Sequence, residues 1–203
     1  MKKIITLLVS ALVLCLTMSA AFAADADKAA KEQAKIEKEK MEINELSTKA
    51  LTRLYAKIPL AERVITKSYA YATLSNTGVK IGILGDAHGR GLAVNNATGE
   101  KVYMRMNEMG LGIGLGVKEY DLIFVIGTEE AWKSFISGDI KFASSAEASA
   151  KDGVNGDGIE GASVAAKGIW VYQMTKKGLA IDASIKGTKI YPYKKLNGKA
   201  KAK

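Results

Sequence analysis

The spacing of apolar side chains changes near Ser68, and the change divides the sequence into a helical part and a strand-rich part. Ile43, Leu46, Ala50, Leu54 and Ile58 recur at steps of three and four, which lines one side of a helix. Pro59 lacks the N–H that a helix interior needs, so it ends this helix, and a second short one is expected over residues 60–67. Upstream, residues 25–40 are Ala, Lys and Glu with few large apolar groups. That composition favours a solvated or frayed helix with little to bury.

Beyond Ser68 the runs 69–75, 79–84 and 89–95 are short, rich in branched and aromatic residues, and bounded by Gly and Asn, as strands are. NNATG, residues 95–99, is a turn into 100–106. There Val102, Met104 and Met106 alternate with Lys101, Tyr103 and Arg105, one apolar face against one basic face. Gly110, Gly112, Gly114 and Gly116 alternate with Leu111, Ile113, Leu115 and Val117. Period two predicts a strand with a bare glycine face, paired with the apolar run 120–126, rather than a phosphate-cradling loop. Thr128 is a helix cap ahead of Glu129 and Glu130, with Ala131, Trp132, Phe135 and Ile136 on one side and Gly138 as the stop. A polar loop, 151–161, and a short helix-compatible piece ending at Gly168 precede strand-like runs at 169–174 and 179–186. The tail 188–195 alternates again, and Pro192 makes it an edge strand or takes it off the sheet.

The N-terminus reads as an export signal. Lys2 and Lys3 precede an apolar run ending near Leu16, and Ala21-Phe22-Ala23 supplies small residues for cleavage before Ala24. Cys15 follows the bulky Leu14, so lipidation is not expected and the chain's one cysteine leaves with the signal. Without disulfides, stability has to come from a core. The formal charge of +9 falls to +7 without Lys2 and Lys3, since residues 1–23 hold no acid. A basic exported chain without a nucleic-acid motif meets anionic lipid, anionic glycan or an acidic partner.

Catalytic chemistry has few candidates. His88 is the only histidine and no G-x-S-x-G elbow occurs, so neither a hydrolytic triad nor a zinc site assembles. GDGIEG, residues 156–161, fits the dinucleotide pattern literally, but no buried strand precedes it and no long helix follows. Asp152, Asn155, Asp157 and Glu160 lack the spacing of an EF-hand and read as a solvated loop. No metal and no cofactor is expected. Basic residues interleaved with tyrosine remain: Lys101, Tyr103 and Arg105 on one strand, and Lys189, Tyr191, Tyr193 and Lys195 on the tail. This is the composition found where protein meets lipid headgroups, or else a solvated face with snorkelling lysines. His88 and Arg90, in GDAHGRG, are turn residues or headgroup contacts.

From about residue 69 to 197 the sequence resembles the SYLF domain family. The resemblance rests on GDAHGRGLAV, TGEKVYMRM, GLGIGLGVKEYDLIFVI, AWKSFISG and VYQMTKKGLAIDASIKG, in that order. YATLS, residues 71–75, departs from it, because the family often has a proline there. The resemblance implies a lipid-binding domain without enzymatic activity, with helices on the N-terminal side of a compact sheet. It also implies membrane contact by a segment between Met41 and Lys67, whose basic residues are Lys49, Arg53, Lys57, Arg63 and Lys67.

The expected fold is therefore α+β: a strand-rich antiparallel sheet, a sandwich or a partly closed barrel, with N-terminal helices packed against it. The expected segments are a signal peptide 1–23, a charged-to-amphipathic helix 24–58, a SYLF-like domain 59–198 and a basic tail 199–203. The expected function is reversible binding of anionic phospholipid by a periplasmic protein peripheral to the envelope, with no nucleic-acid partner. The alternative is a structural or protein-interaction module, homo-oligomeric or bound to an envelope protein, in which the stripe Ile43, Leu46, Ala50, Leu54 meets another chain.

Overall fold

The computed structural model describes residues 2–77, 87–108, 119–140, 142, 159–175, 178–180 and 188–198. The chain forms two compact units, Met1–Lys40 and Met41–Lys203. Helix α1 spans Lys2–Lys57. In the first unit its described side chains are largely exposed and carry local ion pairs such as Asp27–Lys31 at 2.7 Å. Each such pair contributes only about 0.3–0.5 kcal/mol, so this stretch is the solvated helix its composition predicts. Among the described residues no helix is long and apolar enough to cross a membrane.

The second unit is α+β. Among the described residues eight strands form one antiparallel, curled sheet: β1 Ala70–Thr77, β2 Ala87–Asn95, β3 Lys101–Glu108, β4 Glu119–Ile126, β5 Ser163–Ala166, β6 Ile169–Thr175, β7 Gly178–Ala180 and β8 Thr188–Pro192. Their order is β5-β6-β4-β1-β2-β3-β8, and β7 also pairs with β6. The NNATG turn joins β2 to β3: the Asn95 side-chain oxygen accepts from the Ala97 and Thr98 N–H groups, which closes the bend. Asn96 donates to the carbonyls of Ile65 and Ser68 and ties the same turn to helix α2, Pro59–Lys67, where Pro59 occupies the first turn.

Both faces of the sheet are covered, and β4 shows the consequence. Every residue from Asp121 to Ile126 is buried, although only alternate ones face each side. Leu122, Phe124 and Ile126 point into a core roofed by α3, Glu129–Ser137, through Ala131, Trp132 and Phe135. Thr128 caps α3 by accepting from the Ala131 N–H at 3.2 Å, and Gly138 ends it in the left-handed region at φ 83°. Ile123 and Val125 point the other way, into a second core with Ala50 and Leu54 of α1, Ala61 and Ile65 of α2, and Tyr172 and Met174 of β6.

Four expectations are corrected. On α1 the buried positions are Ile43, Ser47, Ala50 and Leu54, while Leu46 is only half-buried. Ser47 fits because its Oγ accepts the Thr73 hydroxyl at 2.7 Å, so this turn meets a polar point of the sheet. The helix-compatible piece before Gly168 is strand β5, which pairs with β6 despite its alanines because the sheet supplies the partners. The glycine run 110–116 lies outside the described residues, as does 79–84. The run 120–126, expected to pair with it, has β1 and β6 as its partners. The tail leaves strand geometry after Pro192 and closes with a helical turn, Lys194–Asn197, so Lys195 is not a strand residue.

The second core contains a testable polar anomaly. Tyr172 is 1% exposed, and its hydroxyl is buried without a hydrogen-bond partner among the described residues. Burial, reinforced by the charge of Glu160, pushes its pKa up to about 12, and burial beside Tyr71 and Glu62 pushes Tyr55 up to about 12 as well. A tyrosine in the unfolded chain titrates near 10, so the folded form holds its proton more tightly. This contribution is complete below about pH 10 and is lost as pH rises towards about 12. Tyr172→Phe is expected to stabilise by about 1 kcal/mol, since the orphaned hydroxyl disappears, and to flatten the alkaline decline. Urea melts across that pH range check both effects, and a destabilised variant would mean that the hydroxyl has a partner.

Candidate functional site

The registers place the predicted basic and aromatic residues in rows that cross the sheet on the α1 side. One row runs Met174, Asp121, Ser75, Arg90, Arg105, Tyr191 over β6, β4, β1, β2, β3 and β8. The adjacent row runs Tyr172, Ile123, Thr73, Leu92, Tyr103. The two stripes predicted on separate strands are therefore neighbours, because β8 adds to the free edge of β3.

This edge is pinned by a residue that spacing did not identify. Asn197, in the last helical turn, accepts the Tyr103 N–H and donates to the Tyr103 carbonyl, both at 2.8 Å. The Tyr193 N–H donates to the same carbonyl at 2.8 Å, which brings the Tyr193 ring beneath Arg105. The Arg105 guanidinium lies 3.9 Å from that ring's centroid, a cation–π stack that orients the charge. Tyr191, half-buried, donates to Asn107 Oδ1 at 3.2 Å, and Asn107 is the register partner of Lys189. Lys101 and Lys189 are exposed on β3 and β8. Lys195 is exposed on the final turn. His88 stands opposite Asn107 in the register, and its side chain lies outside the described residues.

The face is not the bare solvated surface that alternation alone describes, because α1 lies across part of it. Glu42 pairs with Arg90 at 3.2 Å, Asn44 Nδ2 lies 3.5 Å from the Tyr103 hydroxyl, and Ser47 meets Thr73. Further along, Arg53 pairs with the buried Asp121, whose other oxygen accepts the Ser75 hydroxyl at 2.6 Å. The helix thus presents an acid to the arginine side of the row and an arginine to its one acid. Arg53 is therefore paired with Asp121 although half of its side chain is exposed, and Lys57, Arg63 and Lys67 are exposed too. The stripe offered to a second chain is spent within the unit: Ile43, Ala50 and Leu54 are fully buried. Among the described residues no cluster of three or more His, Cys, Asp or Glu side chains could hold a metal ion.

A two-sided sheet with a basic, tyrosine-rich edge has the build of a binding module. Residues 107–200 match the family described as Ysc84, Las17-binding protein actin regulator. A relative from Aeromonas veronii, named Beta cell expansion factor A, is 33% identical over 152 residues, 73% of this chain and 55% of that protein. The chain therefore spans only about half the length of that relative. The chain carries a domain of the SYLF family, whose members are binding domains and not catalysts as a class.

Proposed function

We propose that the protein is a non-enzymatic binder of anionic phospholipid, exported to the periplasm and peripheral to the envelope. The observation that carries this reading is the assembled edge of β2, β3 and β8, where Arg90, Arg105, Lys101 and Lys189 lie among Tyr103, Tyr191 and Tyr193. Tyrosine and arginine together suit the boundary between headgroups and water. The excess of Lys and Arg over Asp and Glu, 30 against 21, favours approach to a negative surface. Each basic group engaged near such a surface contributes about 1 kcal/mol, so a few give reversible, salt-sensitive attachment.

Vesicle flotation tests the lipid reading. The protein is expected to float with phosphatidylglycerol vesicles at low salt, to be released at high salt, and to ignore phosphatidylcholine. Arg105→Gln, which leaves both cores untouched, is expected to weaken attachment about fivefold. Equal binding to both lipids, or no binding, would refute the reading. Export is checked separately, by an intact mass that begins at Ala24.

A further inference from the structure

Arg90 and Arg105 are direct cross-strand partners on one face. Like charges in that position destabilise a sheet unless a counter-charge stands with them. Here Glu42 of α1 stands beside Arg90, its carboxylate 3.2 Å from the guanidinium. The pair is open to water, with side chains 36% and 43% exposed, so a soluble or headgroup anion can reach it. The Arg105 guanidinium stacks on the Tyr193 ring, 3.9 Å from its centroid. Two guanidinium groups carried by directly paired positions match the oxygens of a phosphate better than those of one carboxylate.

The cover is also unevenly attached. Ala50 and Leu54 anchor one end of the α1 segment in the second core. Over Glu42–Ser47 one apolar anchor, the fully buried Ile43, stands among polar links: Glu42 to Arg90, Asn44 beside Tyr103, and Ser47 to Thr73. Polar links exchange with water at little net cost, whereas the apolar end does not. The Glu42 end can therefore lift at the cost of exposing one apolar side chain, Ile43, while Ala50 and Leu54 stay docked.

We infer that Arg90 and Arg105 form a phosphate-oxyanion subsite which Glu42 fills from within the chain, so that ligand binding and docking of the first turns of the α1 cover compete. The inference deepens the anionic-lipid reading and rests on it for the identity of the lipid source. It turns the helix into a built-in competitor that sets how strong a negative surface must be before the protein attaches.

The test uses the full chain as wild type, Glu42→Gln, Glu62→Gln and the double variant Glu42→Gln/Arg90→Gln. Each is titrated with phosphatidylglycerol vesicles and, separately, with inorganic phosphate. Removing a half-exposed competing carboxylate is expected to tighten binding about threefold. Glu62→Gln makes the same charge change on α2 and should tighten binding less, and the double variant should lose the gain. A gain with vesicles alone assigns the subsite to a headgroup, and a gain in both titrations assigns it to phosphate from either source. A gain with phosphate while neither form binds vesicles would keep the subsite and sink the lipid reading. No gain from Glu42→Gln in either titration, a gain matched by Glu62→Gln, or a gain that survives in the double variant would overturn the subsite. Thermal melts of Glu42→Gln within a few degrees of wild type confirm that each comparison is between folded proteins.

Discussion

Phe135→Ala is expected to remove about 3–5 kcal/mol from the unfolding free energy, measured by urea denaturation followed by circular dichroism. Phe135 is fully buried, and its ring centroid lies 5.2 Å from that of Phe124 at a 59° tilt, while the Phe142 centroid lies 5.6 Å from that of Phe124. Helix α3 has only nine residues, too few to persist alone in water, so its docking depends on Ala131, Trp132 and Phe135. Truncating the deepest of these leaves a cavity against β4, the most buried strand of the sheet. A domain is stable by about 5–15 kcal/mol, so the variant should sit close to its unfolding threshold. A loss under about 1 kcal/mol would mean that α3 does not roof this core.

Gly91→Ala is expected to cost a similar amount, about 3 kcal/mol or more, for a different reason. A Cβ at Gly91 would run into the Thr73 carbonyl oxygen and come within 2.8 Å of Leu74 Cα. Both are backbone atoms of the paired strand β1, and neither can rotate away. The central β1–β2 pair would have to separate, which disturbs both cores together. Gly99→Ala is the control: it has open space around it and only a left-handed φ of 71°, so a loss of about 1–2 kcal/mol is expected. Parallel urea melts of the two variants check the contrast. Equal losses would show that strand approach is not what Gly91 provides.

Much of this architecture was legible because local signals and tertiary packing agree. Thr128, the acids after it and Gly138 bracket α3 by capping chemistry that acts within a few residues, and the structure uses each of them. Pro59 separates α1 from α2 and Pro192 marks the β8 edge, since a missing N–H restricts position wherever it falls. The unbroken apolar run of β4 was readable as buried, though not why: helices cover both sides of it.

The misses are of another kind. Ser47 looks like an interruption of an apolar stripe until Thr73, 26 residues away, appears opposite it. Arg53, Asp121 and Ser75 meet across α1, β4 and β1, and no spacing along the chain foretells that meeting. The same holds for the candidate site. Alternation showed which residues share a face on β3 and on the tail, but only strand order makes the two neighbours, and only the path of α1 sets Glu42 beside Arg90. Asn197 carried no signal beyond being an asparagine before a glycine. Its role arises because the β8 chain turns back over the β3 edge.

The most direct measurement of the central claim, that the β3–β8 edge is where the chain meets an anionic surface, is amide hydrogen exchange of the full chain with and without phosphatidylglycerol vesicles. Slower exchange is expected over Lys101–Glu108 and Thr188–Pro192, with faster exchange over residues 41–47 as the cover lifts. Vesicle binding with protection confined to Pro59–Lys67, and no change on β3 or β8, would contradict it.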